Sequence, residues 1–299
     1  MTDASYCGRF APSPTGPLHF GSLVAAVGSF LDARSRDGEW LLRMEDLDPP
    51  REMPGAADDI LRTLEAFGFC WDGEVTYQSQ RQATYRGVLH RLEQKGATYP
   101  CGCTRREIRN HAGPDQPHAV YPGTCRDGLP PGRSARSVRL RVPERVISFE
   151  DRVQGAVSEY IPQQSGDFIL LRADGLFAYQ LAVVVDDADQ GITDIVRGAD
   201  LLDSTCQQIV LQQALGYPTP HYLHLPVVVN EHGKKLSKQS HARAVSADHA
   251  VATLCTALRA LGQPVADEAI DCNLADFWKL AEAMWRAERI PKTRTITEH

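Results

Sequence analysis

The sequence Arg9-Phe10-Ala11-Pro12-Ser13-Pro14-Thr15-Gly16-Pro17-Leu18-His19-Phe20-Gly21-Ser22 decides how this chain can fold. Its three prolines fix φ and cannot donate to a β-ladder, so a strand must end within it. The apolar residues from 23 to 33 then predict a buried helix, which we expect Gly28 to interrupt. Because the first turn of a helix carries unpaired N–H groups and partial positive charge, this corner predicts a phosphate site with His19 as a donor. An ordinary strand-to-helix corner with a surface histidine is the alternative.

Composition sets the class of protein. The chain has 299 residues, a net charge of −6 and 42% hydrophobic residues, which is ordinary for a globular protein with room for two domains. It has no apolar run of membrane-spanning length, and its N-terminus lacks a basic start and an apolar signal core. We therefore expect a cytoplasmic protein without a membrane partner. Arginines crowd residues 126–152 and predict a local basic face.

The pattern after the first helix predicts a βαβ unit. Residues 38–48 form a turn and a short buried strand that ends in the carboxylates Glu45 and Asp48. Ligands of such units gather at the carboxyl ends of the strands, which is where these side chains would lie. Helical spacing follows over residues 56–69 and 85–95.

The middle of the chain has a different amino-acid composition. Residues 97–162 are rich in Gly, Pro, Arg and Cys, and alternation around Val138, Leu140 and Val142 predicts strands. The same alternation includes Phe168, Leu170 and, after a turn, Phe177 and Tyr179. We interpret this region as an insertion with its own small sheet. The α/β pattern then returns and is followed by three features: a helix over residues 204–215, a buried strand over 225–229, and mostly helical sequence from 241.

Three of the eight cysteines lie close together, with a tyrosine between them: Cys101, Cys103, Tyr121 and Cys125. Three thiolates favour tetrahedral zinc, although Cys-x-Cys is a tight spacing and tyrosine is a rare ligand. From chemistry alone, His111 or His118 could replace Tyr121 as the fourth ligand. Unligated loop cysteines are the remaining alternative.

A second phosphate-binding element follows the late strand, as the loop Gly233-Lys234-Lys235-Leu236-Ser237-Lys238-Gln239. Its lysines would reach the sheet edge where the first helix begins. Two such elements around one triphosphate suit nucleotidyl transfer at the α-phosphate, in which the protein works by positioning and charge stabilisation. A lysine-rich run standing alone would indicate only a solvated turn.

Taken together, these motifs resemble the catalytic core of a class I aminoacyl-tRNA synthetase of the glutamyl type. The family's first signature corresponds to residues 9–22, with Ser22 where the family has its last histidine. Its second signature, Lys-Met-Ser-Lys-Ser, corresponds to residues 235–239, with Gln239 in place of the final serine. Further matches to the glutamyl subgroup occur in the same order: Trp71-Asp72, Gln78-Ser79-x-Arg81, Tyr179-Gln180 and Val196-Arg197-Gly198-x-Asp200-Leu201-Leu202.

The resemblance implies an α/β fold: a Rossmann-type class I synthetase core, a zinc-containing α+β insertion and a short helical C-terminal stem. We place the two halves of the Rossmann catalytic domain at residues 1–96 and 181–240, the second with the lysine loop. The insertion would be residues 97–180 and the stem residues 241–299. Because only residues 240–299 follow the lysine loop, the chain has no room for the family's large anticodon-binding domains and resembles a truncated branch of the family.

That branch activates L-glutamate with ATP, without tRNA, and transfers it to the queuosine base in the anticodon of tRNA(Asp). The resemblance implies a glutamate pocket formed by Arg9, Phe10, Ala11, Pro12, Ser13, Glu45, Tyr179 and Arg197. It implies an ATP site formed by His19, Gly21, Ser22, Lys235, Leu236, Ser237 and Lys238. His19 and Lys238 would be catalytic, and Mg²⁺ would accompany ATP without a dedicated site. A structural zinc would be bound by Cys101, Cys103, Tyr121 and Cys125.

The residues of the glutamate pocket agree with the chemistry of the substrate. Glutamate has two carboxylates and one ammonium group, which need guanidinium forks and an acidic partner, and Arg9, Arg197 and Glu45 supply them. Two alternatives stay open. One is an ordinary glutamyl- or glutaminyl-tRNA synthetase fragment that charges a tRNA 3′ end, and the other is a catalytically idle zinc-containing RNA-binding paralogue.

Overall fold

A computed structural model describes residues 5–112, 120–233, 235 and 244–297 of the chain. The strands are β1 (Cys7–Phe10), β2 (Glu39–Met44), β3 (Thr76–Tyr77), β4 (Thr98–Cys101), β5 (Ser137–Leu140), β6 (Val146–Asp151), β7 (Gly155–Tyr160), β8 (Ile169–Leu171), β9 (Asp194–Gly198), β10 (His221–Leu225), β11 (Val227–Val229) and β12 (Thr295–Thr297). The α-helices are α1 (Phe20–Arg34), α2 (Ala56–Ala66), α3 (Gln82–Gln94), α4 (Arg105–Ala112), α5 (Ile161–Gln164), α6 (Tyr179–Asp189), α7 (Leu202–Leu215), α8 (Ala250–Ala260) and α9 (Leu274–Met284).

Two sheets lie side by side at the centre of the fold. One has the strand order β1-β2-β3 and the other the order β7-β6-β10-β9. The amide of Thr193 donates to the carbonyl of Cys7 at 2.9 Å and links the two sheets. Strands β1 and β2 are parallel, and so are β9 and β10. The polar residues that follow these strands therefore meet at one edge, which is where sheets of this kind bind ligands.

Helix α1 is buried along most of its length and packs on this sheet. The expectation that Gly28 would interrupt it is wrong, because the helix runs unbroken from Phe20 to Arg34. Gly28 serves packing instead: a Cβ added there would lie 2.6 Å from Cδ1 of Leu225, a side chain that is itself buried. The missing side chain is what allows α1 to approach β10.

This close approach predicts opposite effects at two helical glycines. Gly28→Val should lower the free energy of unfolding by about 1–3 kcal/mol, the usual cost of overpacking a core. Gly87→Ala is the matched control, since Gly87 lies inside α3 with nothing within 4 Å of its added Cβ. It should stabilise the fold by about 0.5–1 kcal/mol through helix propensity. Urea denaturation of both variants measures the difference, and equal effects would contradict this account of Gly28.

The region predicted as an insertion contributes to two sheets. Strands β4, β5 and β8 form a separate antiparallel sheet, beside which Tyr99, Cys101, Tyr121 and Cys125 make a small core. The hairpin β6–β7 joins the central sheet, because Asp151 pairs with Tyr222 of β10. Its three-residue turn, residues 152–154, is followed by Gly155, whose φ of 77° favours glycine.

Two segments predicted as strands have a different structure. Residues 177–179 do not form a strand: Phe177 makes a single bridge to Leu171, and Tyr179 begins helix α6. Alternation could not distinguish the two states because α6 is buried on nearly all sides. The strand expected over residues 225–229 is divided at Pro226, which has no N–H to donate.

The C-terminal residues 244–297 contain the predicted helices, as α8, α9 and three short 3-10 helices. Near the end of the described chain, β12 pairs in parallel with β11. In the described part of the chain, no helix is both long and apolar enough to cross a membrane.

Candidate active site

A cleft of about 460 Å³ opens at the edge where the central strands end. It is lined by every residue predicted for the glutamate pocket and by four predicted for ATP: Arg9, Phe10, Ala11, Pro12, Ser13, Glu45, Tyr179, Arg197, His19, Gly21, Ser22 and Lys235. The other predicted ATP residues, Leu236, Ser237 and Lys238, lie outside the described residues. The geometry thus brings together groups that are up to 226 positions apart in the sequence, from Arg9 to Lys235.

His19 is the N-cap of α1. Its Nδ1 accepts a hydrogen bond from the amide of Ser22 at 3.3 Å, and its Nε2 lies 3.1 Å from Ser22 Oγ. Ser22 therefore orients the His19 ring. The first turn of α1, with its partial positive charge, lies directly at the cleft.

A buried ion-pair network forms the floor of the cleft. Asp187 Oδ1 accepts from Arg9 Nε at 3.0 Å and from Arg43 Nη2 at 2.8 Å, and all three side chains are nearly inaccessible to solvent. Burial raises the pKa of the Asp187 carboxyl, but the two guanidinium groups outweigh burial and hold that pKa below its ordinary value. The carboxylate thus fixes Arg9 and Arg43 side by side.

The neighbouring Asp186 explains one of the sequence motifs. Its carboxylate accepts from Gln78 Nε2 at 2.7 Å, from Arg81 Nε at 2.6 Å and from the hydroxyl of Tyr85 at 2.8 Å. The Gln78-Ser79-x-Arg81 motif therefore anchors α6 to the segment that precedes α3. It supports the floor of the cleft and does not line the cleft itself.

Glu45 presents a carboxylate oxygen to the cleft. Among the described residues its buried Oε1 has no hydrogen-bond partner, and the nearest cation is Arg43 Nη2 at 3.5 Å. Burial raises the pKa of Glu45 to about 6, against the opposing effect of Arg43 and Arg9. A cation bound beside this oxygen would satisfy it.

Arg197 presents the opposite charge. Its Nε donates to His224 Nε2 at 3.0 Å and its Nη2 to Thr205 Oγ1 at 2.9 Å, while the buried Nη1 has no partner in the described chain. No described carboxylate lies within 4 Å of the Arg197 guanidinium, and Arg197 is only 5% exposed. A buried guanidinium without an anion can bind a carboxylate or a phosphate.

Lys235 and a smaller cavity complete the site. The Lys235 ammonium pairs with Asp200 Oδ2 at 2.5 Å, and both residues line the cleft. A second cavity of about 260 Å³ shares Ser13, Glu45 and Tyr179 with the cleft and extends beyond them.

The cysteine cluster lies outside the cleft. The ligand atoms of Cys101, Cys103 and Cys125 are all within 4.8 Å of one another, with Cys103 and Cys125 Sγ 3.7 Å apart. Tyr121 Oη lies 3.4 Å from Cys101 Sγ. A tetrahedral zinc with Zn–S bonds of about 2.3 Å needs sulfur atoms about 3.8 Å apart, so this donor set fits zinc.

The surroundings of the cluster favour the anionic form of Cys101, whereas burial raises the pKa of the Cys103 thiol and of the Tyr121 hydroxyl. Burial raises the pKa of the Cys101 thiol, but hydrogen bonds from Tyr121 and Arg139 outweigh burial and bring it to about 7. The Arg139 guanidinium also lies 3.8 Å from the centre of the Tyr121 ring. Of the alternative ligands, His111 is exposed and does not belong to the group of converging ligand atoms in the described residues, and His118 lies outside them.

Sequence reasoning missed several polar residues that shape the cleft. They are Arg43, Asp151, Asp186, Asp187, Thr205 and His224, and all are buried. One signal was present: Arg43 stands between apolar residues in strand β2, where a charged side chain needs a buried partner. The remaining partners come from distant strands and helices and leave no local pattern.

The comparisons with known proteins agree with this architecture. A family model described as tRNA synthetases class I (E and Q), catalytic domain, matches residues 7–255. A curated glutamyl-Q tRNA(Asp) synthetase of Dechloromonas aromatica is 58% identical over 297 residues, which are 98% of each chain. One from Pseudomonas putida is 52% identical and covers 100% of this chain and 97% of its own length.

Among solved structures, a glutamate tRNA ligase from Elizabethkingia meningosepticum, crystallised with its amino acid, has the same fold. It matches with a TM-score of 0.82 and 23% identity, over 99% of this chain and 67% of that one. This likeness accounts for the mixed helix and sheet architecture around the cleft. With a family model that spans residues 7–255 and relatives that align from end to end, the chain belongs to the class I tRNA synthetases of the E and Q type, among the glutamyl-Q tRNA(Asp) synthetases.

Proposed function

We propose that this protein activates L-glutamate with ATP and transfers the glutamyl group to the queuosine base in the anticodon of tRNA(Asp). The names of the relatives point to the acceptor. The observation that carries the amino-acid assignment is a pair of buried atoms in one cleft that have no hydrogen-bond partner among the described residues: Glu45 Oε1, which lies 3.5 Å from Arg43 Nη2, and Arg197 Nη1. They complement an ammonium and a carboxylate, which together are the functional groups of an amino acid.

The proposed reaction has two steps. A carboxylate oxygen of glutamate attacks the α-phosphorus of ATP, and pyrophosphate leaves with the electrons of the broken P–O bond. A hydroxyl of the queuosine base then attacks the carbonyl carbon of the glutamyl-adenylate, and AMP leaves. His19, Lys235 and Lys238 would stabilise negative charge on the phosphates at the first turn of α1, and Mg²⁺ would accompany ATP. The second cavity next to Glu45 and Tyr179 offers room for the acceptor.

Two assays test the function. We expect ATP–pyrophosphate exchange that depends on glutamate and needs no tRNA. We also expect labelled glutamate to transfer to tRNA(Asp) that carries queuosine and not to the same tRNA without it. Absence of exchange with any amino acid would disprove the enzyme assignment. Label that arrives equally on both tRNAs, or at the 3′ end of tRNA(Glu), would disprove the acceptor.

The raised pKa of Glu45 predicts how glutamate binding depends on pH. A bound ammonium needs the ionised Glu45 carboxylate. When the pH is below the Glu45 pKa of about 6, glutamate binding must therefore also remove a proton from this carboxyl. The affinity for glutamate should therefore be constant above pH 7 and fall about tenfold between pH 7 and pH 5. Equilibrium dialysis with labelled glutamate measures it.

Glu45→Gln is the control for this titration. It keeps the size of the side chain and removes its charge. We expect weaker binding at pH 7 and almost no change in affinity down to pH 5. A variant that keeps the wild-type pH profile would assign the titration to another group.

We also propose that the cysteine cluster holds one structural zinc, with Tyr121 as the fourth ligand. Four protein ligands would leave no open coordination position for catalysis. The convergence of three sulfur atoms and the Tyr121 hydroxyl supports this assignment. Zinc there would fasten the loop before Arg126 to strand β4.

Metal analysis of purified protein should give about one zinc per chain, and Cys101→Ser should remove it and lower Tm. Cys70→Ser is the matched control, because Cys70 is an exposed thiol outside the cluster. It should keep both zinc and stability. A Cys101→Ser variant with undiminished zinc would contradict the proposed ligand set.

A further inference from the structure

Arg197 is held by neutral acceptors, and this separates it from Arg9 and Arg43. Arg9 and Arg43 are clamped by the carboxylate of Asp187, which neutralises part of their charge. The Arg197 guanidinium is instead fixed by the His224 ring at Nε and by the Thr205 hydroxyl at Nη2. Its position is therefore determined while its charge remains available at Nη1.

The hydrogen bonds determine the tautomer of His224. Arginine Nε–H can only donate, so His224 Nε2 must accept and the ring proton must lie on Nδ1. That proton points at Asp151 Oδ2, 2.6 Å away, and both side chains are completely buried. Burial lowers the pKa of His224 to about 4, against the opposing effect of Asp151, so the ring is neutral at physiological pH.

Asp151 is itself fixed by the backbone of the β6–β7 hairpin. Its Oδ1 accepts from the amides of Val153 at 3.0 Å and Gln154 at 2.8 Å, and both oxygens lie near the amide of His224. With Oδ1 bound to amide donors, Oδ2 is left for the histidine ring. The turn of the hairpin thereby determines where the Arg197 guanidinium lies.

We propose that Asp151 and His224 are positioning residues that aim the Arg197 guanidinium at a carboxylate of the bound amino acid. This inference rests on the proposed function, since it assigns Arg197 to the glutamate site. In this arrangement the His224 ring lies between the Asp151 carboxylate and the Arg197 guanidinium. A directly paired carboxylate would compete with the substrate for the same N–H groups.

Steady-state pyrophosphate exchange with three variants of His224 tests the proposal. His224→Leu should raise the KM for glutamate by about tenfold to a hundredfold, the range expected for losing a hydrogen bond to a charged group, with little change in the KM for ATP. His224→Gln can place its amide oxygen near the former Nε2 and should recover most of the affinity. His224→Asn can meet Asp151 but is too short to reach Arg197, so it should behave like His224→Leu.

Asp151→Asn is a second test of the positioning role, and it preserves the volume of the side chain. With Oδ1 still held by backbone amides, its Nδ2 would donate to His224 Nδ1 and move the ring proton to Nε2, facing the Arg197 N–H. It should therefore also raise the KM for glutamate selectively. His221→Gln is the matched control, because His221 begins the same strand β10 with an exposed side chain, and it should leave both KM values unchanged.

The outcomes separate this inference from the proposed function. Wild-type protein without glutamate-dependent exchange would disprove the function itself. An active wild type whose His224→Leu and Asp151→Asn variants keep the glutamate KM would overturn only the positioning role. A KM for ATP that rises as much as that for glutamate would also overturn it, because a general loss of structure would then explain the data. His224→Asn restoring the glutamate KM as well as His224→Gln would overturn it too, because the contact with Asp151 would then suffice without the contact with Arg197.

Discussion

Replacing Arg197 by methionine is expected to lower kcat/KM for glutamate in pyrophosphate exchange by about a hundredfold to several thousandfold. Removing one partner of a buried charge pair costs roughly 3–5 kcal/mol, and each 1.36 kcal/mol corresponds to a factor of ten. Arg197 meets this condition because its guanidinium is buried and lacks a carboxylate partner among the described residues, so the substrate would supply the missing charge. Methionine fills a similar volume, and the core should remain packed.

The matched control for this substitution is Arg145→Met. Arg145 is exposed and makes a side-chain hydrogen bond to Gln213 outside the cleft. Its replacement should leave kcat/KM within a factor of two of wild type. The loss at Arg197 should lie in glutamate recognition, so the KM for ATP measured at saturating glutamate should change little. Equal losses in the two variants would remove Arg197 from the glutamate site.

The opening corner of the fold was predictable because its determinants are local. Prolines, glycines and a histidine within residues 9–22 end a strand and begin a helix, and the structure has both elements at these positions. The glutamyl-family motifs also indicated which distant residues belong to one cleft. Arg9, Glu45, Tyr179 and Arg197 line it together. Their roles remain proposals that the variants above test.

What the sequence could not indicate is which partners hold these residues. Asp187 contacts Arg9 across 178 positions, and Asp151 contacts His224 across 73. Such pairs depend on tertiary packing and leave no spacing in the sequence. Gly28 illustrates the same limit, since its local reading as a helix breaker is reversed by contact with Leu225 from another element. The basic face predicted from the arginines of residues 126–152 stays a prediction, and two of them, Arg126 and Arg152, pair with Asp167 and Asp32.

Asp187→Asn is expected to be the most destabilising of the conservative substitutions at the cleft. It would leave Arg9 and Arg43, which are 3% and 0% exposed, without their shared carboxylate. Arg43 keeps Glu45 at 3.5 Å, but Arg9 would have no carboxylate within 4 Å among the described residues. Such a buried charge costs roughly 3–5 kcal/mol, which corresponds to a fall in Tm of about 5–10 °C for a chain of this size. Calorimetry at pH 7 measures it. Asp189→Asn is the matched control, because Asp189 lies two residues further along the chain and pairs with Arg81 at the surface.

The pH dependence of this stabilisation has a definite sign. The pKa of Asp187 is lowered in the folded state, so its contribution is complete above the ordinary aspartate pKa of about 3.9 and fades as the pH falls below it. The Tm difference between wild type and Asp187→Asn should therefore be constant near neutrality and shrink in acid, while Asp189→Asn should cost under 1 kcal/mol.

Asp187 also raises the pKa of Glu45. Its removal should therefore move the fall in glutamate affinity to lower pH, a shift that simple loss of packing would not produce. Equal Tm losses in the two variants would contradict the role assigned to Asp187.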